Sequence, residues 1–334
     1  MIIQYVVIIP LMVISAVLGN LMTIVAFWKV PKLREKPSDL LICALACVDF
    51  ATGLFVIPLI GPLYITPGNW PLEEIGCRVH IASSIIVLTT SLYLLIFISF
   101  DRYLLVSREY PQYLKTQSER RIYKCIVFSL SMGVLAAVIE QSMWDRAKAI
   151  DAVAAGINFN ERCLSPPRRL APFSTAYFLA FYLLPVIAVS VLSVAFLYLF
   201  RKRLMKKIRI GPADRLPPAT LQSTSEDREN SNPASVAANA DVIKSAEITA
   251  RNRYIKPAIT LIGLVTAMGV CMLPYCFYVI VVNWFCTKCS NVTVLYAVLL
   301  LQYCNSCLDP MLYAATQNRI RKFYRSRFRA VFRF

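Results

Sequence analysis

Apolar residues in this chain gather into seven long stretches separated by short polar connections. The stretches fall at about 3–28, 40–63, 79–107, 122–143, 173–203, 253–285 and 292–316. A predominantly apolar segment of about 20 residues is long enough, as a helix, to cross the hydrocarbon of a bilayer. One large soluble core does not explain seven such segments. The pattern therefore predicts an all-α membrane protein built as a seven-transmembrane helix bundle.

The third stretch carries no charged side chain from 85 to 100 and then reads Asp101-Arg102-Tyr103. Charge at that depth costs about 3 kcal/mol per group unless it is paired or reaches water. An adjacent acid and base largely neutralise each other while leaving the guanidinium's fork of donors available. Such a pair can be held in two arrangements, one tied to its neighbour and one reaching for a partner.

Composition agrees, with 57% hydrophobic and 16% charged residues in 334. The net charge of +17 raises the question of nucleic acid, but its distribution answers it. Of 36 Lys and Arg, four fall in 29–36, six in 102–124, twelve in 201–256 and seven in 319–333. Those four segments lie on one side of the bundle. The positive-inside rule puts them in the cytoplasm, with the N-terminus outside and the C-terminus inside. No nucleic-acid partner is expected. The segment at 3–28 has no basic region before it and no small-residue cleavage site, so it reads as an anchor rather than a removed signal peptide.

Residues 204–250 form the longest polar stretch and are expected to be a largely disordered cytoplasmic loop, since Pro, Ser, Asn, Glu and Asp dominate its middle. Its basic ends continue the flanking helices. Residues 317–334 interleave Arg319, Arg321, Lys322, Arg325 and Arg327 with Ile320, Phe323, Tyr324 and Phe328. At helical spacing this is a short amphipathic helix lying on anionic membrane lipids. No internal repeat suggests an inverted-repeat transporter.

Seven of eleven cysteines lie in the spans and read as small buried hydrophobes. Cys77, Cys163, Cys286 and Cys289 fall on the outer side, where disulfides persist. Cys77–Cys163 and Cys286–Cys289 are the simplest pairings. Zinc at Cys286 and Cys289 lacks a second pair of ligands nearby. Asn291-Val292-Thr293 is a glycosylation sequon on the outer side, close to the membrane.

Intramembrane acids are candidates for function. Asp49 lies midway along the second span, and Asp309 near the inner end of the seventh. Ser91, Asn305 and Ser306 complete a polar set that suits a small hard cation. A carboxylate pair that joins helices by sharing a proton is the alternative. Pro185, Pro274 and Pro310 lie inside apolar runs and kink their helices.

Taken in order, Asn20, Leu45-Ala46-Cys47-Val48-Asp49, Cys77, Asp101-Arg102-Tyr103, Pro185, Cys271-Met272-Leu273-Pro274 and Asn305 to Tyr313 form one series. Through them the chain resembles class A (rhodopsin-like) G-protein-coupled receptors over essentially its whole length. The resemblance implies a receptor domain over 1–316, an amphipathic helix 8 with a short tail over 317–334, and a place in the plasma membrane. It implies a heterotrimeric G protein as partner, with arrestin and receptor kinases, an extracellular small-molecule ligand, and no cofactor beyond an allosteric sodium ion. Asp101, Arg102 and Tyr103 would form the switch, with Tyr313, Pro274 and Pro310 moving around it. Asp49, Ser91, Asn305, Ser306 and Asp309 would form the sodium pocket, and Cys77–Cys163 the outer disulfide. The loop at 110–113 and the basic ends at Arg201 and Arg251 would also meet the G protein.

Departures from the family pattern carry expectations of their own. Met272 replaces a tryptophan, and span four lacks its usual tryptophan, Trp144 being too near the outer end. Ser193 replaces a tyrosine, and Tyr254 offers no acid to Arg102. A weaker resting lock and raised basal activity follow, so a constitutively active receptor is the alternative reading.

Phe100 to Tyr103, Pro274-Tyr275, residues 283–289 and Tyr303 are similar to the aminergic branch, nearest the muscarinic and histamine receptors. That branch holds its amine through an aspartate eighteen residues before the motif's arginine, and here Ser84 stands there. The pocket would be lined by Ser84, Tyr177, Phe181, Met272, Tyr275, Tyr278, Gln302 and Tyr303. Glu140 is a substitute anion or a structural acid. A peptide or lipid ligand is the alternative within the fold. An opsin is excluded because 292–316 has no lysine for a Schiff base. A transporter or channel would show substrate flux and would not need Arg102. An enzyme is not expected: His80 is the chain's one histidine, and no nucleophile stands paired with a base.

Overall fold

The computed structural model describes residues 2–65, 70, 72–154, 163, 171–209, 233–285 and 292–331. Span one is Ile2–Lys29, and span two runs Asp39–Ala51, a π turn at Thr52–Val56, then Ile57–Ile65. Span three is Glu73–Ser107, followed by a short helix, Tyr110–Lys115, and span four is Glu119–Ala154. Span five runs Ala171–Phe178, a π turn at Leu179–Leu183, then Leu184–Arg209. Span six is Pro233–Ile280, ending in a π turn at Val281–Phe285, and span seven is Val292–Thr316. Helix 8 is Asn318–Val331. There is no strand among the described residues.

Six of these helices are long and apolar enough to cross a membrane by length and composition. Span seven has 25 residues and interrupts its apolar run with Gln302, Asn305, Ser306 and Asp309. The seven expected spans are thus all helical, several with longer ends than expected. Span six reaches back to Pro233, so 233–250 is helical where the sequence reading expects disorder. Ala234, Ala237, Ala238 and Ala240 supply the helix propensity that a purely compositional reading passes over. Residues 210–232 of that loop, with Cys286, Cys289 and Asn291, lie outside the described residues.

Close packing follows from small residues at helix crossings. A Cβ on Gly133 of span four would come within 2.5 Å of the Thr90 hydroxyl and 2.6 Å of the Ile86 carbonyl on span three. A Cβ on Gly19 would meet the Pro310 ring at 2.9 Å, so spans one and seven touch backbone to side chain. Asn20 fastens the same pair, its amide nitrogen donating to Ser306 O at 3.0 Å. Helix 8 docks through buried Ile320 and through Tyr324, whose hydroxyl donates to Gly19 O at 2.8 Å and lies 2.7 Å from the Thr23 hydroxyl.

The Cys77 end is the outer one in the orientation expected from the basic residues. Cys77 and Cys163 form a disulfide there, Cα atoms 5.4 Å apart. Arg78 pairs with Glu74 at 2.9 Å and Asp145 at 2.5 Å, its guanidinium over the buried Trp144 ring. The tryptophan of span four thus caps the outer layer beside the disulfide.

Candidate functional site

Three polar layers cross the bundle. At the inner end of span three Asp101 and Arg102 are both buried, at 1% and 5% exposure. Arg102 Nη1 stands 3.5 Å from Asp101, and Nη2 stands 3.4 Å from Asp39 in the first turn of span two. Asp101 also accepts from Tyr113 Oη, at 3.1 Å for the shorter contact, and from Gln117 Nε2 at 2.9 Å. Gln117 in turn accepts from the Ser38 amide at 3.1 Å, closing the network onto the start of span two. Burial, and after it the charge of Asp101, raises the Tyr113 phenol above the ordinary tyrosine range, so it remains a donor at neutral pH. Every charge in this layer has a partner. The Tyr103 ring stacks with Phe100 and packs against the small apolar cluster of Leu104, Leu105 and Tyr113.

Position 254 offers Arg102 no acid, and a second carboxylate reaches it from span two instead. Asp39, Tyr113 and Gln117 as partners of this pair escape a reading along the chain, because Asp39 lies 63 residues from Arg102. The available signal was an acid at a membrane boundary ten residues before Asp49.

The middle layer is less satisfied. Asp49 and Asp309 are fully buried and adjacent. Ser306 Oγ donates to Asp49 Oδ1 at 2.7 Å, and Asn305 Nδ2 reaches Asp309 Oδ2 at 3.5 Å. Asp49 Oδ2, Asp309 Oδ1, Asn305 Oδ1, Asn20 Oδ1 and the Tyr313 hydroxyl have no hydrogen-bond partner among the described residues. Convergent buried carboxylate and amide oxygens without donors are the donor set a hard cation such as sodium needs. No hydrogen bond among the described residues joins Ser91 to this set, so the sequence grouping is only partly assembled. Tyr313 is buried between the inner and middle layers and does not touch Arg102. Pro310 sits against Gly19, and Pro274 lies inside the continuous helix of span six.

The outer layer holds the expected pocket residues. Tyr303 Oη donates to Ser84 Oγ at 3.0 Å, and Ser84 Oγ donates to His80 O at 2.7 Å. Ser84 thus spends its hydroxyl on its own helix and on span seven. Gln302 is 1% exposed, and both its amide atoms lack hydrogen-bond partners. Met272 is buried in the main apolar cluster with Tyr182 and Met268, filling the floor as an ordinary core side chain. Tyr177 packs on Phe181 with ring centroids 5.1 Å apart, while Tyr275 and Tyr278 are part-buried on span six.

A seven-helix bundle with these three layers has the form of a membrane receptor. The family described as 7 transmembrane receptor (rhodopsin family) matches residues 19–313, and the chain belongs to it. The D(1C) dopamine receptor of Xenopus laevis is 24% identical over 307 residues, covering 91% of this chain and 63% of that receptor. Dopamine receptor 2 of Caenorhabditis elegans is 32% identical over 36% of this chain and 14% of its own length. Trace amine-associated receptor 7e of Mus musculus is 32% identical over 36% of this chain and 33% of its own. The matches thus span less than two thirds of these relatives' own lengths. The aminergic resemblance read from the motifs agrees with them, and family and relatives alike are receptors, not enzymes.

Proposed function

We propose that this protein is a plasma-membrane receptor that passes the binding of a small extracellular molecule to a heterotrimeric G protein at its Arg102 end, with the N-terminus outside. The observation that carries the reading is the buried Asp101–Arg102 pair at the inner end of span three, held by a second carboxylate from span two. Arg102 tied to Asp101 and Asp39 is the resting arrangement. An inward-pointing partner helix, offering backbone carbonyls, would compete for the same donors once span six swings about Pro274. Tyr313, buried with a free hydroxyl, is placed to follow Arg102 when the inner ends separate. Arrestin and receptor kinases would use the same face, and helix 8 would rest on anionic lipid.

Sodium fits the middle layer. Asp49 and Asp309 would hold it, with Asn305 and Ser306 beside them. The ion would supply the positive charge that two adjacent buried carboxylates need. Ligand binding in the outer layer and G-protein binding in the inner one would then meet across this layer, through spans two and seven.

The test is G-protein activation in transfected cells with co-expressed Gα subunits, at matched surface levels. Wild type is expected to signal above empty vector with at least one subunit, and Arg102→Ala to fall to the vector level. Wild-type signalling that is unchanged in Arg102→Ala would refute the proposal.

A further inference from the structure

Two cations at the inner end of span four have no partner in the chain. Arg120 and Lys124 stand on the first two turns of that helix, and both are exposed. Neither forms an ion pair or hydrogen bond among the described residues, and Glu119 beside them forms none either. Arg121 shows the contrast: its Nη1 donates to Thr116 O at 2.9 Å, which commits it to the preceding loop.

Arg120, Lys124, Val127 and Ser131 recur at i, i+4, i+7 and i+11, so they share one stripe of the helix. With Glu119, Tyr123 and Phe128 this stripe lines a groove of about 690 Å³. Phe128 forms a fixed wall, edge-on to Tyr93 and Phe97 of span three with ring centroids 5.8 and 6.0 Å away. Ser131 Oγ donates to Val127 O at 2.9 Å, so the deep end asks for no polar partner. Charge therefore sits at the span's boundary, and the lining turns apolar over about 10 Å of helix toward the membrane centre.

An amphiphile with an anionic head and a hydrocarbon tail matches that gradient. Like charges four residues apart destabilise a helix, and an anion held between them relieves the repulsion. Arginine offers phosphate or carboxylate a planar fork, and lysine a point charge. Glu119 narrows the choice, because it repels a purely anionic head and attracts an ammonium. We propose that this groove binds an anionic aminophospholipid of the phosphatidylserine type. Its phosphate and carboxylate lie between Arg120 and Lys124, its ammonium at Glu119, and one acyl chain along Tyr123, Val127 and Phe128. The site adjoins the Asp101–Arg102 layer, since Thr116, which Arg121 holds, precedes the Gln117 that donates to Asp101. The inference needs span four to be a membrane helix and is independent of G-protein coupling.

The full-length receptor is reconstituted in phosphatidylcholine nanodiscs with a trace of phospholipid carrying a photoreactive diazirine on one acyl chain. The headgroup is serine, glycerol or choline, and labelled peptides are mapped by mass spectrometry. Peptides spanning 119–131 should take up the serine lipid most, the glycerol lipid less and the choline lipid least. Arg120→Gln and Lys124→Gln should each lower serine-lipid labelling there about fivefold, the usual effect of one basic residue near an anionic leaflet. Helix 8 should label as in wild type and serves as the internal control. Glu119→Gln should abolish the preference for serine over glycerol. Added potassium chloride should weaken serine-lipid labelling in wild type, a readout that needs no variant. The proposal is overturned if choline or glycerol lipid labels the groove as well as serine lipid, or if the Arg120 and Lys124 variants label as wild type does. Labelling that falls equally at helix 8 would also overturn it, as general attraction to the membrane surface.

Discussion

The inner and middle polar layers hold similar inventories, two acids each with amide and hydroxyl neighbours, yet they are finished differently. Around Arg102 each charged group has a partner within the protein: two carboxylates flank one guanidinium, and Tyr113 and Gln117 donate to Asp101. Beside Asp49 and Asp309 no cationic side chain stands among the described residues, and oxygens from three helices lack donors there. The first layer is a closed lock whose stability comes from its own partners. The second is open to a small species from outside the chain. A buried ion pair broken on one side is costly, whereas a carboxylate pair relieved of one charge is not. Burial alone therefore does not distinguish the two; the balance of donors and acceptors does.

Substitutions can break this contrast, and the largest effect belongs to the closed layer. Arg102→Ala strands Asp101 and Asp39 and should lower stability by about 3–5 kcal/mol, the usual cost of an uncompensated buried charge. Asp49→Ala should cost far less, and thermal unfolding of the purified protein compares the two directly; equal losses would dissolve the contrast. Next in size is the response to salt. Replacing choline by sodium should stabilise wild type by about 1–2 kcal/mol through binding to the folded state, and Asp49→Asn should abolish the difference. A sodium response that survives Asp49→Asn would remove the ion from the middle layer.

Asp39→Asn tests the second carboxylate. It opens one arm of the lock at a site that is part-exposed, 23% for the Asp39 side chain, so the gain in active population should be modest. Basal signalling should rise about fivefold, corresponding to about 1 kcal/mol in the resting equilibrium. An unchanged basal level would mean that Asp39 is a bystander. Tyr113→Phe sits at the bottom of the scale, because Gln117 and Arg102 still serve Asp101. Its expected loss is about 0.5–1 kcal/mol of thermal stability, one hydrogen bond to a charged acceptor with others in reserve.

Much of this was legible along the chain and some was not, for reasons visible in particular residues. The spans follow from apolar length, which is a local property. Cys77 and Cys163 were the sensible pair because only four cysteines lay outside the spans. Asp49, Asn305, Ser306 and Asp309 could be grouped because buried polar residues are expensive in a span and so have reason to converge, and hydrogen bonds join Ser306 to Asp49 and Asn305 to Asp309. Ser91 shares that logic but forms no hydrogen bond with them. Asp39 was missed because an acid at a span's end is ordinary, and only the crossing of spans two and three turns it toward Arg102. The contact of Tyr177 with span four escaped notice because it follows a π turn that no composition rule reveals.

That turn in span five also divides the helix into two stretches that answer to different demands. Residues beyond Leu183 are phased to the bundle core, where Val186, Val189 and Phe196 pack. Residues before Leu179 are offset from that phase and present Tyr177 to span four. Deleting one residue within 179–183 would restore a uniform helix and rotate the whole outer stretch, exchanging its lining side chains in a single step while leaving the core in register. The surface that span five presents to span four can therefore change by length as well as by identity, without disturbing the fold beneath.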